Sequence, residues 1–263
     1  MERTYWHKQT TDTPLFPDVL WSRPETKRTA GKLLIIGGNL HSFASVGNAY
    51  VEALSAGAGQ IRLVMPDALK KTVSKLIPDA DFLPSTPSGS FARLALAGLI
   101  DQAGWADGVL IAGDLGNNSE TAILLEKFTD KYSGQLTLAK DAASHFADIP
   151  EILMDRQKTT MIVDITQLQH LAGQVKFSQP FTSNMDLIRM VDALHDFSQP
   201  FAPNIITQHL SNYVVAVDGE VSTTNVGTEK ISWRIPTAAH AAVWWLQNPT
   251  NPFEALTTSI IDS

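Results

Sequence analysis

Two short apolar runs bounded by glycines constrain the fold of this chain most strongly. The first covers residues 31–38 (GKLLIIGG), and the second, residues 61–66 (IRLVMP), follows Ala56-Gly-Ala-Gly59 about one helix length later. Such runs are typical of strands buried on both faces, so the pattern predicts a β-α-β unit with parallel strands. Ligands bind such sheets at the carboxyl ends of the strands, where Gly37 and Gly38 let the backbone turn sharply and approach a ligand closely.

The composition indicates a folded, acidic protein. The 263 residues are 44% apolar with a formal net charge of −7, which is enough apolar material for a continuous core and disfavours nucleic-acid or anionic-membrane partners. The absence of cysteine excludes disulfides, thiolate metal sites and a cysteine nucleophile. No apolar run approaches the ~20 residues that span a bilayer. The first residues are polar, so we expect a cytoplasmic location.

Strand and helix patterns alternate along most of the chain. We expect an N-terminal arm over residues 1–26, irregular apart from one helical turn near Phe16–Trp21, which packs on a single α/β domain over residues 27–263. Residues 213–217 and 220–223, joined by Asp218-Gly219, predict a late antiparallel hairpin. Further strands are predicted at 107–113, 135–139, 161–164 and 204–207, and helices at 45–55, from 66, at 91–103, 121–131, 165–172, 186–197 and 237–247, and from 252.

Four short motifs occur one after another along the chain. They are Gly37-Gly38 leading to Ala56–Gly59, residues 111–116 (IAGDLG), Asp141 after a strand, and residues 252–255 (PFEA). In this order and spacing they resemble the ribokinase-like fold, and within it the carbohydrate-kinase-like, ADP- or ATP-dependent NAD(P)H-hydrate dehydratases. The resemblance implies a three-layer α/β/α architecture with a mostly parallel central sheet. It also implies a site for ATP or ADP with Mg²⁺ and for an NAD(P)H-related ligand.

The resemblance further implies a reaction, but the residues that perform it are replaced. In the family, a hydroxyl of the hydrated nicotinamide cofactor is phosphorylated and phosphate is then eliminated. A Gly-Thr-Gly-Asp tetrad at a helix N-terminus cradles the phosphate and supplies the acid/base aspartate. Residues 232–240 (SWRIPTAAH) stand there in this chain, and no carboxylate lies between Glu229 and Glu254. The family's Thr-Pro-His-Pro-Gly-Glu turn has become residues 162–167 (IVDITQ), and its Leu-Lys-Gly strand end residues 211–214 (SNYV).

Core positions support folding, whereas glycines and charged residues at strand ends support binding and chemistry. Three hypotheses therefore stand. The chain is a divergent dehydratase-like protein that binds a nucleotide or dinucleotide but has lost the family reaction. Alternatively, it is an active dehydratase or a small-molecule kinase with a substituted base such as Asp141. The third hypothesis is a non-catalytic assembly protein.

The candidate residues for contact with a nucleotide or substrate lie at predicted strand ends or near the start of the helix that replaces the tetrad. No catalytic residue is assigned. Lys140 and Arg234 suit phosphate, and His240 suits a base, but an exposed lysine, a surface ion pair and a packed histidine are the more ordinary roles. Either aspartate in the set also suits a helix or turn cap. The set comprises Gly37, Gly38, Asn39, His41, Asp114, Gly116, Lys140, Asp141, Arg234 and His240.

The remaining sequence features concern assembly and metals. Trp244 and Trp245 are adjacent on a predicted helix and point about 100° apart, so we expect one in the core and the other in a homo-oligomer contact. The histidine spacing shows no transition-metal pattern, so no metal site is expected in the protein itself. Neither a Gly-x-Ser-x-Gly elbow nor a Gly-Lys-Ser/Thr phosphate loop occurs.

Overall fold

The computed structural model describes residues 3–227 and 231–263, and within them one sheet of ten strands dominates the molecule. The strands are β1 (Trp6–Thr10), β2 (Lys32–Gly37), β3 (Gln60–Pro66), β4 (Ala80–Leu83), β5 (Gly108–Gly113), β6 (Gln135–Ala139), β7 (Thr159–Ile162), β8 (Asn204–His209), β9 (Asn212–Val217) and β10 (Glu220–Asn225). Their order across the sheet is β1-β10-β9-β8-β7-β6-β5-β2-β3-β4. Strand β9 runs antiparallel to both neighbours, and the other pairs are parallel.

Helices cover both faces of this sheet. They are α1 (Pro17–Trp21), α2 (Ala44–Ser55), α3 (Lys70–Val73), α4 (Leu96–Trp105), α5 (Ser119–Lys131), α6 (Lys140–Asp148), α7 (Ile165–Gln174), α8 (Leu187–Ser198), α9 (Arg234–Gln247) and α10 (Pro252–Asp262). One core cluster packs α4 to α8 against the first face, and a second packs α2, α3, α9 and α10 against the other. The predicted three-layer architecture and the late hairpin are therefore confirmed.

Strand β2 shows why the apolar runs were informative. Leu34 and Ile36 belong to the core on the α4–α8 side, whereas Leu33 and Ile35 belong to the core on the α2–α9 side. Successive side chains of a strand point to opposite faces, and here both faces are covered. A continuous apolar run is the pattern that such a strand requires.

The expectation of an irregular arm is wrong over Trp6–Thr10. This segment forms β1, an edge strand that pairs in parallel with β10. Gln9 anchors it, because its buried Nε2 donates to Thr224 Oγ1 at 2.8 Å and to the Thr257 carbonyl at 2.7 Å. An edge strand held by polar contacts lacks the apolar run by which the central strands were recognised.

Three smaller differences concern elements near the sheet. Strand β4 and helix α6 were not predicted, and the helix expected from residue 66 is a 3₁₀ turn at Asp67–Leu69 followed by the four-residue α3. The amides of Leu76 and Ile77 both donate to the Val73 carbonyl, which closes α3 with a turn. The short length of β4 gives too little periodicity for recognition.

The expectation that one tryptophan of α9 faces a neighbouring subunit is wrong. Trp244 and Trp245 are 1% and 4% exposed, because α9 packs against α2, α10 and the sheet at once. A helix covered on several sides is apolar almost all round, so adjacent tryptophans both lie inside. None of the helices in the described parts of the chain is long and apolar enough to cross a membrane.

Candidate functional site

Strands β2 and β5 end side by side, and glycines allow them to do so. A Cβ on Gly37 would lie 2.5 Å from the Gly113 carbonyl oxygen, and Gly38, at φ +86°, donates its amide to the same oxygen at 3.0 Å. An L-residue would clash at the first position and be strained at the second. Both glycines therefore allow β2 and β5 to end side by side, and this role does not depend on a ligand.

Asn39 joins the loops that follow β2 and β5. Its buried side chain donates from Nδ2 to the Asp114 carbonyl at 2.6 Å and accepts the His41 amide on Oδ1 at 2.8 Å. The His41 side chain itself is exposed. Gly116, at φ +76°, lies on the other side of this junction, where an added Cβ would be 3.4 Å from Asn39 Nδ2.

Asp114, Lys140 and Ser45 form the most tightly connected polar cluster at this edge. Asp114 Oδ2 accepts the Ser45 amide at 2.8 Å, and Oδ1 accepts Lys140 Nζ at 2.7 Å. The same ammonium donates to Ser45 Oγ at 2.6 Å. Burial opposes ionisation of Asp114, but the bonds from Lys140 and Ser45 outweigh it, so the pKa of this carboxyl lies below its ordinary value.

Two residues of this cluster have a strained backbone conformation. Asp114 and Lys140 have φ of 57° and 54°, the left-handed region that L-residues rarely occupy. In return, the Asp114 carboxylate satisfies an amide in the first turn of α2, where the helix leaves donors unpaired. Asp114 thus caps α2, a helix distant in sequence, instead of the turn that follows it.

Lys140 and Asp141 are consecutive, but their side chains contact different segments at the sheet edge. Lys140 reaches the first turn of α2, whereas Asp141 Oδ2 accepts the amides of Leu115 and Gly116 at 2.7 and 3.2 Å. Asp141 therefore fixes the loop after β5 and borders a separate cavity of about 370 Å³ beside α5 and α6.

Arg234, the first residue of α9, is tied to the start of α7. Its Nη1 donates to Asp164 Oδ2 at 3.0 Å and to Gln167 Oε1 at 3.4 Å. Asp164 and Gln167 are the capping box of α7, and Gln167 Nε2 also donates to the Lys140 carbonyl at 2.8 Å. Gln167 therefore holds the segments carrying Arg234 and Lys140 close to each other.

Between the first turns of α2 and α9 lies a cleft of about 410 Å³, which is within the usual size range of small-molecule sites. Two cationic side chains reach it, and a stripe of polar residues on α2 forms the facing wall. The lining includes Ser45, Asn48, Glu52, Lys140, Ser232 and Arg234. Another cavity of about 410 Å³ lies at the far end of the sheet and contains none of the candidate residues.

His240 lies behind this cleft and does not line it. Its ring is 2% exposed, with Nδ1 3.1 Å from Asp262 Oδ2 and Nε2 3.4 Å from Glu52 Oε2. Burial opposes ionisation of Asp262, but bonds from His240, Trp244 and Arg23 outweigh it and lower the pKa of the carboxyl. Glu52, the residue between His240 and the cleft, was not singled out from the sequence.

The start of α9 differs physically from a backbone phosphate cradle. Pro236 has no N–H, and the Thr237 amide already donates to the Trp233 carbonyl at 3.0 Å. The first turn of α9 contains no acidic side chain, and the described residues hold no group of three or more His, Asp or Glu suited to a metal ion. The first turn of α9 therefore offers side-chain donors from Arg234 and no carboxylate.

Comparisons with known proteins identify the fold. No protein-family model and no curated protein sequence matches the chain. Among solved structures, a ribokinase-like superfamily protein from Enterococcus faecalis superposes with a TM-score of 0.73 at 15% identity, over 100% of this chain and 88% of that one. The chain has the ribokinase-like fold.

Two further structures extend the comparison. ADP/ATP-dependent NAD(P)H-hydrate dehydratase from Bacillus subtilis, co-crystallised with ATP and Mg²⁺, gives a TM-score of 0.66 at 13% identity, over 94% of this chain and 86% of that one. Phosphomethylpyrimidine kinase from Clostridium difficile gives 0.51 at 11% identity, over 87% and 96%. The fold predicted from the motifs is confirmed, and at these identities the likeness concerns the fold alone.

Proposed function

We propose that the protein is a divergent relative of the NAD(P)H-hydrate dehydratases that binds an anionic, nucleotide- or dinucleotide-type ligand in the cleft between α2 and α9, without the family reaction. The observation that carries this proposal is the first turn of α9. There residues 232–240 (SWRIPTAAH) stand where the family that the chain resembles has its Gly-Thr-Gly-Asp tetrad, and they contain neither glycine nor carboxylate.

The two cations of the cleft support ligand binding. An ammonium has three N–H donors, and among the described residues Lys140 Nζ uses two of them, on Asp114 and Ser45. A guanidinium has five donors, and Arg234 contacts Asp164 and Gln167 through Nη1. Within the described part of the chain, both side chains thus keep donors for the phosphate or diphosphate of a nucleotide.

The same residues argue against turnover by the family mechanism. In that reaction a carboxylate takes the proton of the attacking hydroxyl, and backbone amides stabilise the transferred phosphoryl group. Here Asp114 is held by Lys140 and the Ser45 amide, and Asp141 by the amides of Leu115 and Gly116. Both carboxylate oxygens of Asp114 are thus engaged, and Asp141 borders the separate cavity beside α5 and α6 instead of the cleft, which favours binding without turnover.

The test combines a thermal-shift panel with a turnover assay. Purified protein is heated with Mg²⁺ and with ATP, ADP, AMP, NAD⁺ or NADPH at millimolar concentration. A ligand at 100 times its dissociation constant stabilises the fold by about 2.7 kcal/mol, which raises the melting temperature by several degrees. We expect such a shift with at least one ligand, together with no nucleotide-dependent loss of NADPH hydrate.

Two results would overturn the proposal in different directions. Nucleotide-dependent conversion of the hydrate would establish an active dehydratase with a substituted base. No shift with any ligand would favour a non-catalytic assembly role, for which light scattering on the purified protein would show a homo-oligomer.

A further inference from the structure

Both side chains of the α7 capping box make a second set of contacts. Within the box, Asp164 Oδ1 accepts the Gln167 amide at 2.9 Å, and Gln167 Oε1 accepts the Asp164 amide at 3.0 Å. Outside it, Asp164 Oδ2 accepts from Arg234 Nη1 at 3.0 Å. Gln167 Nε2 donates to the Lys140 carbonyl at 2.8 Å and to Ser144 Oγ at 2.6 Å. The box that begins α7 is therefore also bonded to both cationic residues of the cleft.

The side-chain amide of Gln167 has a role that the cap of α7 does not require. Either glutamate or glutamine completes a capping box, and a carboxylate is in addition favoured near a helix N-terminus. Only the amide has N–H donors for the Lys140 carbonyl and for Ser144 Oγ. Because Gln167 is buried, water does not replace these donors when they are lost. The amide group of Gln167 therefore serves the segment that carries Lys140.

Lys140 needs such a partner because its backbone is strained. Its φ of 54° lies in the left-handed region, which persists in a non-glycine residue only where the surroundings hold it. From this conformation, Nζ donates to Asp114 and to Ser45, which lines the cleft. Without Gln167, the Lys140 carbonyl keeps, among the described side chains, only the longer bond from Ser144 Oγ at 3.4 Å. The direction of the Lys140 ammonium therefore depends on Gln167.

We propose that Gln167, which lies outside the cleft, is the positioning residue of the anion site and orients Lys140 and Arg234 before a ligand binds. The inference rests on the proposed ligand site. Gln167 does not line the cleft, so it acts through the two cations. Its Oε1 contact with Arg234 is 3.4 Å long, whereas Asp164 holds the same Nη1 at 3.0 Å. The main effect of Gln167 therefore falls on Lys140.

The size of the effect depends on the fraction of molecules in which Lys140 faces the cleft. Loss of the Gln167 donor leaves the left-handed backbone without its main hydrogen bond, and strain of this kind is large enough to make such a conformation a minority state. Affinity falls in proportion to the population of the binding-competent conformation. A population of about one tenth therefore weakens anion binding by about tenfold.

The first experiment uses the free protein and needs no ligand. Carbon chemical shifts of the Lys140 backbone report its φ, and Gln167→Met removes the amide at nearly constant length. We expect the Lys140 shifts to move toward right-handed values in Gln167→Met. Asp186→Ala is the matched control, because it removes the N-cap of another helix, α8, and should leave Lys140 unchanged. Unchanged Lys140 shifts in Gln167→Met overturn the inference.

The second experiment measures binding by calorimetry at pH 7, with ADP and NAD⁺ as the probes. We expect about tenfold weaker binding to Gln167→Met than to the wild type. In the Lys140→Met background, the same substitution should change affinity by less than about twofold, because Arg234 keeps its contact with Asp164. A purely structural role of Gln167 would instead weaken binding by the same factor in both backgrounds.

Melting curves show whether each variant is folded. If Gln167→Met does not fold, Gln167→Glu replaces it in the shift measurement, since glutamate keeps the capping box and lacks only the two N–H donors. Equal affinity of the wild type and Gln167→Met overturns the inference and leaves the proposed function standing. A loss of affinity that persists in the Lys140→Met background also overturns the inference. No binding of either probe to the wild type overturns both.

Discussion

Replacing Asp114 by asparagine is expected to lower the free energy of unfolding by about 2 kcal/mol at pH 7. Asparagine tolerates the left-handed φ of 57° and has the same shape, so the substitution changes charge and hydrogen bonding alone. The carboxylate, whose side chain is 8% exposed, accepts from Lys140 Nζ and the Ser45 amide on separate oxygens. An amide presents one oxygen and one NH₂, so one of these donors faces another donor.

The magnitude follows from the exposure of the partners. Hydrogen bonds to charged groups contribute about 1.5–3 kcal/mol each. Because the Lys140 side chain is 34% exposed, solvent compensates for part of its loss, which gives the figure of about 2 kcal/mol. For a chain of this length each kcal/mol corresponds to about 2–4 °C, so the melting temperature should fall by about 4–8 °C.

The stability difference between the wild type and Asp114→Asn should depend on pH. The pKa of Asp114 is lowered in the folded protein, so its stabilising contribution is complete above the unfolded value and is lost as pH falls through the folded value. The difference between wild type and Asp114→Asn should therefore be large at pH 7 and shrink below about pH 4. Urea denaturation at pH 7 and at low pH measures both quantities.

Asp148→Asn serves as the control for this experiment, because Asp148 is 68% exposed beside His170. Its effect should stay within about 0.5 kcal/mol. The reasoning is refuted if Asp114→Asn is as stable as the wild type at pH 7, or if its deficit persists unchanged under acid.

Three further substitutions test the packing around the site, each by chemical denaturation. Gly37→Ala should cost about 1–3 kcal/mol, because the new Cβ meets the backbone oxygen of Gly113 at 2.5 Å, and a stable variant would contradict the tight strand junction. Trp245→Ala should lower the free energy of unfolding by about 3–5 kcal/mol with no change in oligomeric state. A change in assembly at unaltered stability would instead indicate that Trp245 lies in a subunit interface. Gln9→Ala should cost about 1–3 kcal/mol, since it removes the Nε2 bonds to Thr224 Oγ1 and to the Thr257 carbonyl; a neutral effect would show that β1 does not depend on this anchor.

The central strands were predictable because burial on both faces requires a continuous run of apolar residues. The run at β2 could be read directly, since four successive side chains are buried in alternating cores. Strands β1 and β4 lie at the two edges of the sheet, where no such run is required. Order and spacing of short motifs then gave the fold, because those motifs mark where strands end.

The site was only partly predictable, because side-chain direction depends on backbone conformation. The left-handed φ of Lys140 turns its side chain toward α2, while the side chain of Asp141 turns to the loop after β5. The amino-acid types of these two residues do not indicate either direction. Ser45 and Glu52 were missed because they belong to no motif. Their spacing with Asn48, three and then four residues apart on α2, was the available signal for a polar helix face.

The central claim is that Arg234 and its neighbours bind an anionic ligand in the cleft. The most direct test is calorimetric titration, at pH 7, of the nucleotide that gives the largest thermal shift into the wild type, Arg234→Gln and Arg93→Gln, the last changing an exposed arginine outside the cleft. We predict binding to the wild type and to Arg93→Gln with equal affinity, and at least about tenfold weaker binding to Arg234→Gln. Equal affinity for all three proteins would contradict the claim and place the ligand elsewhere.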